Sequence, residues 1–360
     1  MLLSLAPILL LVALLSTSVA LFGSDASYGP NQVALVVAAG ATMLVGWRRG
    51  MSWQQIQDGM VGAITVSIMP MMILLSVGAL IGSWIISGTV PGMIFYGLQL
   101  LNPDIFYAAS AVICALASLS LGSSWTVAGT LGIGLMGIAT TYGLSPAITA
   151  GAIISGAYFG DKLSPLSDTT NLAAAAVGVD LFEHIKNMLW TTLPAFALAL
   201  LFFAIIGSEG AAAPDDITRI RAALSDQFAI TPWVLSPLVL MLAMIYFKIP
   251  AYPAILLCTL CGAAYGAVFQ PEVVRTMALT AHPESPAPLL QGLWMALFSG
   301  YQSPADMDQL SQLLDKGGLA SMLNTIFLIL TAMTFGGLLD STGILRQLLD
   351  LVLKGVKRTG

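Results

Sequence analysis

The residues whose types and spacing could do chemistry lie together between 155 and 171. The run Ser155-Gly156-Ala157-Tyr158-Phe159-Gly160-Asp161-Lys162-Leu163-Ser164-Pro165-Leu166-Ser167-Asp168-Thr169-Thr170-Asn171 sets two carboxylates, a lysine and six Ser, Thr or Asn side chains between apolar runs. A charge inside apolar sequence costs at least ~2.5 kcal/mol on insertion scales, which makes its position informative. Hard cations such as Na⁺ take oxygen ligands, and Asp161, Asp168, Ser164, Ser167, Thr169, Thr170 and Asn171 supply them. A carboxylate held partly out of water also takes a proton more readily. Such a group holds a proton or a cation but not readily both, and that competition is the minimal chemistry of an exchanger. Two plainer readings stand beside this one: a polar loop at the membrane edge, and a structural ion pair between Lys162 and either Asp.

The backbone of this stretch matters as much as its side chains. Pro165 lacks an amide donor and pushes Ser164 out of helical geometry, and Gly156 and Gly160 are expected to loosen the helix before it. The run is therefore read as a broken helix, with Ser167 or Asp168 capping a helix that begins near Asn171. A break leaves free carbonyls on one side and free amides on the other, the geometry with which transporters hold ions at mid-membrane. A second break, Gly122-Ser123-Ser124-Trp125-Thr126, lies between two other apolar runs.

The elements that must carry these breaks follow from composition. Of 360 residues, 57% are hydrophobic and 9% charged, against about 25% charged in soluble domains. With so little polar side chain most of the exterior faces lipid, which excludes a cytosolic enzyme, a nucleic-acid binder and a disordered scaffold. The chain reads as an all-α polytopic membrane protein whose first partner is the lipid bilayer. Apolar runs recur at 2–22, 33–47, 62–81, 105–121, 126–141, 146–159, 188–206, 233–247, 252–269 and 319–339, with shorter interfacial or re-entrant helices expected at 91–101 and 289–298. About 20 helical residues cross a bilayer, so several runs are too short for a plain span. The first run lacks a basic leader and a cleavage site and reads as a retained span. Cys114, Cys258 and Cys261 lie in apolar sequence, so Cys258-x-x-Cys261 reads as packing on one helix.

A shift of 255 residues brings Gly62 onto Gly317, Gly82 onto Gly337 and Gly88 onto Gly343. Arg48 and Arg49 follow the second apolar run, whereas in the other half Arg346, Lys354, Lys357 and Arg358 fall after the matched glycines. The positive-inside rule then puts equivalent loops on opposite sides. That is an inverted repeat, the architecture of secondary transporters. The expected division is a first repeat at 1–207 with the main site, a polar loop at 208–231, and a partial second repeat at 232–360. Residue 360 matches residue 105, so the second repeat is read as incomplete by about a hundred residues.

The run 156–172 resembles the signature of the NhaC-type Na⁺/H⁺ antiporter family nearly residue for residue. Gly78-Ala79-Leu80-Ile81-Gly82-Ser83-Trp84, Ser87-Gly88-Thr89-Val90-Pro91, Gly122-Ser123-Ser124-Trp125-Thr126 and Phe335-Gly336-Gly337 agree with it. The resemblance implies inverted repeats, re-entrant hairpins and an elevator-like movement. It also implies a member shortened at its C-terminus, since a second broken helix is expected beyond residue 360. By this resemblance ions and protons are handled at Asp161 and Asp168, with Ser164, Ser167, Thr169, Thr170 and Asn171 around them. Ser123, Ser124 and Thr126 resemble a hairpin tip facing the same site, with a plain polar turn between helices as the other reading, since Ser and Gly also serve helix packing in lipid.

Lys162 and His184 are read as possible modulators, the histidine because it titrates near neutral pH; an exposed loop histidine is the plainer reading. The expected activity is exchange of Na⁺ for H⁺ across the cell (inner) membrane, with both termini cytoplasmic, no cofactor, no enzymatic reaction and no nucleic acid. Alternatives are cation-coupled antiport of a small organic acid or amino acid, such as malate or lactate, and a non-transporting fragment. A homodimer, or a partner chain supplying the missing segment, completes the expectations.

Overall fold

The computed structural model describes residues 2–165, 167, 169–170, 173–174, 178–206, 214–247, 249–303, 311 and 313–348. Among these residues the chain is helical with no strand. In order the helices are α1 (Leu2–Phe22), α2 (Pro30–Arg48), α3 (Trp53–Ile86), α4 (Thr89–Leu100), α5 (Phe106–Leu121), α6 (Ser124–Gly129), α7 (Leu131–Thr141), α8 (Pro146–Leu163), α9 (Leu181–Ile206), α10 (Pro214–Gln227), α11 (Ser236–Tyr246), α12 (Ala251–Phe269), α13 (Pro271–Ala281), α14 (Pro288–Phe298) and α15 (Leu319–Ser341). Seven stretches of the described residues are long and apolar enough to cross a membrane, or eight if the pair Ile217–Gln227 and Pro232–Met244, bent by 90°, counts as one. Trp47, Trp53, Trp190 and Trp233 are all exposed, as an interfacial belt requires.

Several elements differ from the sequence reading. The run 62–81 is the middle of α3, which starts nine residues earlier on Trp53 and stays helical through Pro70; at 1.5 Å per residue, its 34 residues reach about 51 Å. The run 126–141 is two helices, because Thr130 takes φ −118°, ψ −79° between α6 and α7. Its hydroxyl donates to the Thr126 carbonyl at 2.6 Å, and side-chain back-bonding of this kind bends helices. The polar loop 208–231 contains α10, which buries Leu224 and lays the Arg221 guanidinium over the Phe95 ring at 4.8 Å, while Arg219 and Asp226 are exposed. Residues 180–187 are the cap and first turns of α9, where the Asp180 carboxylate accepts from the amides of Phe182 (2.9 Å) and Glu183 (3.2 Å). His184 is therefore helical and half-buried.

The chain forms two compact units, 1–74 with 322–360, and 75–321. In the first, Leu35, Ala38 and Ala39 of α2, Ile56 of α3 and Phe335 and Leu338 of α15 make the core. Arg49 extends this unit past the end of α15, donating to the Thr342 carbonyl at 2.7 Å and to Gln347 Oε1 at 3.1 Å. Helix ends leave carbonyls without intrahelical partners, so Arg49→Gln should destabilise the chain by about 1 kcal/mol. A thermal melt of the purified protein checks this, and an unchanged midpoint would show the contact to be idle.

In the second unit the tightest pairing is α5 against α8. A Cβ on Gly156 would lie 2.0 Å from the Ala111 carbonyl oxygen, and one on Gly160 2.3 Å from that of Ala115. The hydroxyl of Ser118, fully buried on α5, donates to the Ala157 carbonyl at 2.6 Å. Gly156 and Gly160 thus form a small-xxx-small seam at which two backbones touch. They do not loosen α8, which runs unbroken through both to Leu163.

Candidate functional site

Helix α8 stops where its sequence requires. Ser164 caps it with φ −78°, ψ 127°, the extended geometry that a following proline imposes. Asp161 sits in the last turn, and its carbonyl accepts the Ser164 amide at 3.2 Å. Beyond the break, the Ser167 hydroxyl oxygen accepts the Thr170 amide at 3.4 Å, in the manner of an N-cap. The Thr170 hydroxyl reaches back to the carbonyls of Asp161 and Lys162, both at 3.1 Å. The chain therefore folds onto the end of α8, and Ser164, Ser167 and Thr170 are buried there.

The second break is built differently. Helix α5 ends on Leu121, and Gly122 takes φ 68°, the left-handed conformation that lets the chain turn at once into α6. Ser123 caps α6: its hydroxyl oxygen accepts from the Thr126 amide at 3.3 Å and from the Thr126 hydroxyl at 2.9 Å. Those two side chains serve the turn. Ser124 points elsewhere and donates to Asp161 Oδ2 at 2.7 Å.

That bond joins the two breaks. Asp161 is 9% exposed and Ser124 3%, so the pair is shielded from bulk water. The carboxylate also stands at the C-terminal end of α8, where the helix dipole is negative. A negative charge so placed is favoured by a positive partner, and its oxygens are of the type that a hard cation takes.

Other expected site residues fall as follows. Thr169 is exposed, its hydroxyl 2.9 Å from that of Ser167. Lys162 is exposed, and among the described residues no ion pair joins it to Asp161. Asp168 and Asn171 lie outside the described residues. His184 belongs to the first turn of α9. Sequence reasoning missed Ser118, which holds α8 one turn before Asp161. The glycine spacing 156/160 was the signal that could have found the facing helix.

A family model described as the Na⁺/H⁺ antiporter family matches residues 156–360. The chain belongs to this family. It is 36% identical over 339 residues to the Na⁺/H⁺ antiporter NhaC of Alkalihalophilus pseudofirmus, covering 92% of this chain and 68% of that protein. It is 35% identical over 334 residues to a malate-2H⁺/Na⁺-lactate antiporter of Bacillus subtilis, with the same two coverages. An arginine/ornithine antiporter of Halobacterium salinarum is 31% identical, over 99% of this chain and 70% of its own. No solved structure matches the chain. Family membership and the apolar helices make this a multi-pass membrane protein of the antiporter kind.

Proposed function

We propose that the chain exchanges Na⁺ for H⁺ across the cell membrane at a site centred on Asp161, with Asp168 as the second carboxylate. The observation that carries this is the buried Ser124–Asp161 bond, which ties a hairpin tip to the end of a broken helix. Two close relatives bear the name Na⁺/H⁺ antiporter, and both are at least 34% identical to this chain. Asn171 and the hydroxyls of Ser164, Ser167, Thr169 and Thr170 complete the oxygen set in this reading. Transport, with no bound cofactor and no catalysed reaction, is the whole of the activity.

The inverted repeat belongs to the same proposal. Helices α3 and α15 end on Ile86 and Ser341, 255 residues apart, and each is followed by a left-handed glycine, Gly88 (φ 79°) and Gly343 (φ 70°). The offset read from the sequence carries one helix end onto the other. It supports the division into repeats at 1–207 and 232–360 joined by 208–231. The basic residues at 48–49 and 346–358 support cytoplasmic termini.

Everted vesicles test the exchange directly: adding Na⁺ to acidified vesicles should raise their internal pH. Because both ions compete for one carboxylate, a tenfold rise in proton concentration should raise the Na⁺ needed for half-maximal response by up to about tenfold. Ser124→Ala removes a hydrogen-bond donor to the Asp161 carboxylate and should weaken Na⁺-driven exchange by about tenfold. An unchanged rate and Na⁺ demand would take Ser124 out of the site.

A further inference from the structure

Two grooves flank the C-terminal half of α2, both inside the first unit. One, of about 680 Å³, lies between α1 and α2 and is lined by the small residues Ala6, Pro7 and Ala41 and by Arg48. The other, of about 470 Å³, lies between α2 and the start of α3 and is lined by Gly40, Met51, Trp53 and Ile56. Leu44 and Trp47 line both grooves. Three residues apart, they share one face of α2, and at 59% and 73% exposed they stand out from it. They form a ridge with a groove on each side.

The grooves begin at the same depth. Along α2 they run from residues 40 and 41 to 47 and 48, about 10 Å, or roughly a third of the ~30 Å hydrocarbon core. Exposed tryptophans mark the membrane–water interface, and Trp47 and Trp53 are both exposed. Each groove therefore opens at headgroup level and descends into the acyl region. A Cβ on Gly40 would meet nothing within 4 Å, so the second groove is open where it runs deepest along α2.

Charge sets what fits above them. Arg48 is the one charged side chain lining either groove. It is exposed, and among the described residues it has no hydrogen-bond or ion-pair partner. Arg49 beside it is committed to the Thr342 carbonyl and Gln347. Asp58 and Asp340, the exposed acids of α3 and α15, line neither groove. A free guanidinium presents a planar fork of donors that matches a phosphate group.

We propose that this end of α2 binds an anionic phospholipid, with its phosphate on Arg48 and its two acyl chains astride the Leu44–Trp47 ridge, one in each groove. A choline headgroup would bring a second cation beside Arg48, and a single-chain lipid would leave one groove unfilled. None of these residues belongs to the Asp161 pair, so the site stands apart from the exchange proposed above.

Native mass spectrometry of the full chain in a neutral detergent measures the bound lipid. The probes are dioleoyl phosphatidylglycerol, dioleoyl phosphatidylcholine and oleoyl lysophosphatidylglycerol. The diacyl glycerol lipid should bind at least about fivefold more tightly than the choline lipid, the worth of one basic residue at an anionic headgroup. Arg48→Gln should erase that preference and Arg48→Lys should keep most of it, whereas Arg346→Gln, at another exposed arginine of this unit, should leave it intact. Gly40→Leu should weaken dioleoyl phosphatidylglycerol by about tenfold, the loss of roughly two buried methylenes, without weakening the lyso form. Because it adds a side chain in open space, Gly40→Leu decides the matter even where Arg48→Gln fails to fold. Equal binding of the two diacyl lipids overturns the proposal, as does a preference that survives Arg48→Gln. It also fails if Gly40→Leu changes nothing, if the lyso form binds as tightly as the diacyl form, or if glycerol 3-phosphate competes at equal concentration. The measurement uses no ion gradient, so its failure is distinct from a failure of Na⁺/H⁺ exchange.

Discussion

Asp161→Asn is expected to abolish Na⁺-driven proton movement while leaving the protein folded. The amide keeps an oxygen that can accept the Ser124 hydroxyl now held at 2.7 Å, so the substitution removes charge with little change of shape. At 4 Å and an effective dielectric of 20, a carboxylate attracts a monovalent cation by about 4 kcal/mol. Losing that is worth roughly a thousandfold in affinity. Everted vesicles report the exchange, and a thermal melt of the purified variant reports the fold. Asp161→Glu should recover part of the activity, because it restores the charge but displaces it by one methylene from Ser124. If Asp161→Asn exchanged Na⁺ for H⁺ at the parental rate and Na⁺ demand, the carboxylate would have to be removed from the mechanism.

The candidate site was legible because charge is scarce. With 9% charged residues in the chain, two acids among six hydroxyl and amide side chains stand out from everything around them. The end of α8 was equally plain, since Pro165 fixes the conformation of the residue before it. The break after Gly129 was hidden, because no proline marks it and a threonine hydroxyl bonding back to a carbonyl makes it. The helical state of 214–227 was hidden for another reason. Its composition is that of a loop, and only the spacing of Ile217, Ile220 and Leu224 gives one face to bury. The joining of Ser124 to Asp161 crosses 37 residues, and nothing local encodes which of three hydroxyls in the tip turns toward the carboxylate.

The role of Gly156 and Gly160 was misread because glycine weakens an isolated helix, whereas here it is the partner helix that decides. A single glycine inside a helix costs about 1 kcal/mol relative to alanine, which is the loosening effect that sequence suggests. At these two positions an added methyl group would instead lie 2.0 Å and 2.3 Å from carbonyl oxygens of α5. Backbone cannot rotate away as a side chain can, so α5 and α8 would have to separate along their length. Separation would also stretch the Ser118–Ala157 bond, now 2.6 Å, and move Asp161, which follows Gly160 directly. Gly156→Ala and Gly160→Ala are therefore each expected to destabilise the protein by about 1–3 kcal/mol, the cost of overpacking a filled interior. Both should also depress exchange. Gly151 supplies the control on the same helix: a Cβ there meets nothing within 4 Å, so Gly151→Ala should be neutral or stabilising by up to about 1 kcal/mol. Thermal melts of the three variants in one detergent separate the two accounts. Equal effects at 151, 156 and 160 would mean that helix propensity alone is at work, and the close seam would lose its place as the support beneath Asp161.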